Sequence, residues 1–97
     1  MEFSNKLNTV ETILIGSWKK NGDKIIADEI CERIEQLKSN YLKKVSVDIT
    51  GWEVLYQDPH DNRYWLLTYP NSELHSGGPP ILKMITATEV YEKFGIN

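Results

Sequence analysis

The chain has 97 residues, 40% of them hydrophobic and 26% charged, so it fits one domain with one core and little room for a deep pocket. Its net charge of -3 is unevenly placed: residues 1–50 carry eight basic and eight acidic side chains, residues 51–97 three basic and six acidic ones. That balance excludes direct nucleic-acid binding, which needs a basic patch against phosphates, and it permits a basic partner.

Residues 1–10 are polar and expected to be loose. "TILIGSW" (12–18) reads as a strand rich in β-branched and aromatic residues. In "KKNGDK", Asn21-Gly22 signals a turn, and Ile25 and Ile26 are placed to close a short hairpin before a helix. From Ala27 the apolar positions 27, 30, 31, 34, 37, 41 and 42 have the spacing of one buried helical stripe. Asp28, Glu29 and Glu32 fall in its early turns and Lys38, Lys43 and Lys44 in its late ones, which suits the helix dipole. Glu29 and Arg33 have the spacing of a helical ion pair. Cys31 lies on the stripe and reads as a small core residue. As a lone cysteine it leaves no internal disulfide or multi-cysteine zinc site.

"KVSVDI" (44–49) predicts a strand that breaks at Thr50-Gly51. "WEVLYQ" (52–57) and "RYWLLTY" (63–69) flank "DPHDN" as a β-hairpin with large side chains on both faces. Such a hairpin belongs in the middle of a sheet, with a helix on one side and a further cover needed on the other. Trp52, Val54 and Tyr64 are expected in the core. "PNSELHSGGPP" (70–80) is a loop, since its prolines lack donors and its glycines cost entropy to order. "ILKMI" (81–85) is a last strand; Thr86 and Glu89 form a capping box for a short helix that Gly95 stops. The sum is an α+β domain: an antiparallel sheet with one long helix packed on it and a short C-terminal helix.

Asp58, His60, Asp61, Glu73 and His75 are potential metal ligands or acid-base groups. Asp58-x-His60-Asp61 has no recognised metal spacing, however, and Ser72 and His75 lack an orienting third group. "SGGPP" does not lead into a helix N-terminus and so does not make a phosphate loop. A small hydrolase or metal-dependent enzyme centred on His60 and His75 is therefore the alternative reading. A self-associating structural protein that covers the second face of its hairpin is a third. No segment reaches the ~18–20 apolar residues of a membrane span. The first residues also lack the pattern of a signal peptide, so a cytoplasmic protein without a membrane partner is expected.

Five segments, "GSW" (16–18), "ADEICERIEQL" (27–37), "GWEVLYQDPHDNRYW" (51–65), "LTYPNSELHSGGPP" (67–80) and "YEKFG" (91–95), resemble one family. It is the immunity protein family numbered twenty-seven of bacterial polymorphic-toxin systems. The chain departs from that pattern at Asn62 and Ser76, where glycine is expected, and at Leu66, where an acidic residue is expected. Asparagine tolerates the left-handed region, so the turn at 62 should survive.

The resemblance implies a protein that is not an enzyme, takes no cofactor, and binds and neutralises a cognate toxin domain. Toxins of such systems are often nucleases with basic active sites, which an acidic, aromatic surface would suit. A monomer forming a one-to-one complex is expected. Candidate toxin-binding residues are Asp58, His60, Asp61, Arg63, Trp65, Tyr69, Glu73 and His75. Arg63, Trp65 and Tyr69 share a strand face and are residue types enriched in binding hot spots. Equally, Trp65 and Tyr69 can pack beneath the 70–80 loop. Asp58, Asp61 and Glu73 read as solvated turn charges that would steer a basic partner, with Arg63 paired to one of them. "KKNGDK" is a further candidate contact.

Overall fold

A computed structural model describes residue 7 and residues 10–69 and 78–96. In chain order the elements are β1 (Ile13–Ile15), β2 (Trp18–Asn21), β3 (Lys24–Ala27), α1 (Glu29–Asn40), β4 (Lys43–Val47), β5 (Val54–Gln57), β6 (Tyr64–Thr68), β7 (Ile81–Ile85) and α2 (Ala87–Phe94). Antiparallel strands build a five-stranded sheet in the order β1-β7-β6-β5-β4, while β2 and β3 form a separate two-stranded arm. The class is α+β, as expected.

Because side chains alternate along a strand, the β5–β6 hairpin supplies two apolar faces. Tyr56 stands opposite Trp65 and Val54 opposite Leu67, whereas Leu55 stands opposite Leu66 between them. Tyr56, Trp65 and Leu67 join Leu82 of β7 beneath Ile34 and Leu37 of α1. On the other face Leu55, Leu66 and Ile85 meet Val90 of α2, with Phe94 alongside. The hairpin is thus central, and the C-terminal helix supplies the cover its second face requires. Among the described residues no helix is long and apolar enough to cross a membrane.

The two helix starts follow local chemistry. Asp28 caps α1, its carboxylate accepting the Cys31 amide at 2.9 Å. Thr86 and Glu89 make the expected capping box on α2, with bonds of 3.1 and 3.2 Å, and Gly95 ends that helix at φ 69. Asn62 takes the left-handed conformation, φ 65, at the β5–β6 turn.

Several expectations are corrected. "TILIGSW" is not one strand: Gly16 and Ser17 separate β1, in the main sheet, from β2, in the arm. Lys43 and Lys44 do not lie in the helix but open β4. The apolar stripe continues to Leu42 because that side chain is buried although it lies past the end of α1, its amide donating to the Leu37 carbonyl at 2.7 Å, and periodicity alone does not mark where the helix stops. Arg33 forks onto both oxygens of Glu11 rather than pairing with Glu29, which meets Lys19 at 3.5 Å. Trp52 is not a core residue; it precedes β5 and is 55% exposed.

Two outcomes follow for stability. Asn62→Gly should match or exceed the wild type in a urea titration, whereas Asn62→Ala should cost about 1 kcal/mol, since an alanine side chain is disfavoured at this φ. Desolvation pushes the Asp28 carboxyl up, but the Cys31 amide and Ser17 hydroxyl outweigh it, so it titrates at about 2 instead of 3.8. A depressed carboxyl stabilises the fold above its unfolded value and loses that contribution as pH falls through the folded one. Stability should therefore fall from about pH 5 to about pH 2, and less steeply in Asp28→Asn, which keeps a capping oxygen but carries no charge.

Candidate partner-binding surface

The residues of the hairpin tip are tied to one another and to the body of the protein. Asp58 is fully buried. Its Oδ1 accepts the Tyr41 hydroxyl and the His60 amide, the latter at 2.8 Å. This overturns its reading as a solvated turn charge. Burial pushes the Tyr41 hydroxyl up, and its bond to Asp58 adds to that, to about 12. Asp61 pairs with Arg63 at 2.6 Å, so the expected partner of Arg63 is found. Desolvation raises the Asp61 carboxyl, but its bonds to Arg63 outweigh that and leave it lowered. Arg63 also donates to the Glu11 carbonyl at 2.7 Å and stands 5.0 Å from the centre of the Trp65 ring.

Trp65 therefore has no surface to offer. Its exposure is 0%, because α1 covers one side and Arg63 lies over the ring. Its cover is α1, while residues 70–77, beneath which Trp65 and Tyr69 were expected to pack, lie outside the described residues. His60 is exposed at the tip and Asp61 partly so. Glu73 and His75, together with Ser72 and Ser76, lie outside the described residues. Among the described residues no three His, Cys, Asp or Glu side chains come together as a metal site.

A second surface was not expected from the sequence. A groove of about 340 Å³ opens beside the N-terminal half of α1. Trp18 of β2, Trp52 and Tyr69 supply its aromatic lining, with Ala27, Cys31, Gly78 and Pro80 beside them. Glu32 and Glu35 of α1 complete it. All these residues fall in the sequence segments that carry the family resemblance. Trp18 is 37% exposed and Trp52 55%. Of the earlier candidates only Tyr69 lines this groove.

Each wall is set by local bonding. Trp18 pairs with Ala27 across the arm, and the adjoining Ser17 hydroxyl donates to Asp28 at 2.8 Å. The arm is thereby fastened to the start of α1. Trp52 follows a tight turn in which the Asp48 carboxylate accepts the Gly51 and Glu53 amides at 2.8 and 3.2 Å. Gly16 donates its amide to the Pro80 carbonyl at 2.9 Å, bringing β1 against the strand entering β7. The sequence signalled these turns but not that they meet, because strand order and layer contacts are not local properties.

Only glycine fits at 16. A Cβ there would stand 2.6 Å from Cys31 Sγ and 2.9 Å from the Pro80 oxygen. Gly16→Ala should lower the unfolding free energy by about 1–3 kcal/mol, the usual cost of forcing extra volume into packed structure. Adding Cys31→Ala, which removes the nearer obstacle, should recover part of that loss in a double-mutant cycle measured by urea unfolding.

Comparison with known proteins agrees with the sequence motifs. The family model described as Immunity protein 27 matches residues 20–86, more than two thirds of the chain and narrower than the 16–95 that the motifs span. No curated protein and no solved structure matches. The match takes in the arm from its third residue, α1, the central hairpin and β7. The chain is a member of the Immunity protein 27 family.

Proposed function

We propose that the protein binds a cognate toxin domain in the cytoplasm and blocks it without catalysis. A monomer covers the toxin's active site or substrate surface in a one-to-one complex. Membership of an immunity family is the observation that carries this reading. The exposed tryptophans support it, since aromatic side chains open to solvent at a groove are typical anchors of protein interfaces. The toxin is read as a basic nuclease. A net charge of -3, gathered in the half that holds the central hairpin, suits a surface that evolved to bind nucleic acid.

Within that reading the toxin-facing candidates fall into two groups. His60 and Asp61 offer partly open polar contacts at the tip, and Tyr69 belongs to the groove. Arg63 holds the tip in shape through Asp61 and the Glu11 carbonyl. Glu73 and His75 remain proposed contacts. Asp58 and Trp65, being buried, serve the interface by holding the hairpin. "KKNGDK" forms the arm's turn and stays a secondary contact.

The test is capture of the toxin domain encoded beside this gene, followed by a nuclease assay of the captured material. Stoichiometric binding with loss of activity is expected. The association rate should also fall about tenfold or more between low and high salt, as expected for steering between opposite charges. A toxin that stays active in the presence of excess protein would overturn the reading.

A further inference from the structure

We propose that the Trp18–Trp52–Tyr69 groove seats one arginine or lysine side chain of the toxin, an inference that rests on the toxin-binding reading. The groove lining combines aromatic surface with two carboxylates, Glu32 and Glu35, and holds no cation among the described residues. An aliphatic stem ending in a positive charge matches both parts. The stem covers apolar surface while the cation meets the carboxylates and the ring faces.

Size and charge narrow the occupant. A volume of about 340 Å³ lies at the small end of ligand pockets, which suits one long side chain rather than a large cofactor. A purely apolar side chain would desolvate the carboxylates without giving them a partner. A phosphate or carboxylate would be repelled. Glu35 already holds Lys38 through Oε2 at 2.9 Å, whereas no ion pair engages Glu32 among the described residues. Glu32 is thus the principal acceptor for an incoming cation.

The hairpin tip does not compete for that role. Asp58 is buried and Asp61 already pairs with Arg63, so neither presents an open, unpaired carboxylate. Glu32 and Glu35 are both exposed and sit three residues apart on one side of α1, where they act on the same space.

The three tryptophans give three indole N–H signals in a 15N spectrum, and Trp65, buried away from the groove, is an internal control. N-acetylarginine amide should move the Trp18 and Trp52 signals saturably and leave Trp65 still. Its neutral isostere, N-acetylcitrulline amide, should need about fivefold more to do the same, a difference of about 1 kcal/mol. Glu32→Gln/Glu35→Gln should erase that difference. Equal response to both probes, or still Trp18 and Trp52 signals, overturns the proposal.

With the toxin domain encoded beside this gene, Trp18→Ala should weaken capture about thirtyfold while the Trp65 signal stays native. Unchanged capture by Trp18→Ala sinks the groove and spares the toxin-binding reading. Arginine binding by wild type without any capture sinks the pairing with that toxin and spares the site.

Discussion

A hairpin with two apolar faces sets the terms for the rest of the molecule. Tyr56 and Trp65 demand cover on one side, Leu55 and Leu66 on the other, and the chain answers with one helix for each. α1 has 12 residues, about 18 Å of helix, and α2 has eight. Ile34 and Leu37 reach Trp65, Leu67 and Leu82, whereas Cys31, a turn earlier, meets the Gly16–Ser17 segment. The space left between that turn, the arm and the Trp52 end of the sheet is the groove. It arises because a short helix cannot roof a whole sheet and the arm stops short of closing the gap.

Irregular segments are fastened by side chains placed at their ends. Arg33 binds Glu11 ahead of β1, Arg63 binds the Glu11 carbonyl and Asp61, and Asp28 binds Ser17 and the first turn of α1. Apart from the exposed Ser17–Asp28 bond, these are charge-assisted bonds at partly buried positions, stronger and less screened than pairs in open solvent. Asp58 is a different case. A fully buried carboxylate is costly unless it is bonded, and here Oδ1 gathers the end of α1 and the hairpin tip through Tyr41 and the His60 amide, while Oδ2 meets no partner among the described residues. The same acids that give the lower half its negative charge are, at 58 and 61, structural.

Much of the fold was legible in the sequence. Period two marked the central hairpin, the Thr86–Glu89 spacing marked α2 and its end, and Asn62 was readable as a left-handed turn residue. The class and the family were legible as well. What failed did so for identifiable reasons. Leu42 extends a helical stripe although it lies beyond the end of α1, so periodicity overran the helix. Arg33 found Glu11 across the fold instead of Glu29 on its own helix, because a partly buried fork outcompetes an exposed pair. For the surface, residue type misled: Trp65 and Asp58 looked like contacts and are interior, while Trp52 looked interior and is open. Trp18, Glu32 and Glu35 carry no local mark, since their meeting depends on where the arm lies against α1.

The Gly16 crossing separates the parts of the groove that can change from those that cannot. Its hydrogen faces Cys31 and the Pro80 carbonyl with no space to spare, so that corner is fixed by the requirement to fold. Glu32, an exposed helix residue, carries no comparable obligation, and Trp52 stands more than half open. Substitutions at the outward residues can therefore change the chemistry of the groove while the corner stays as the fold requires.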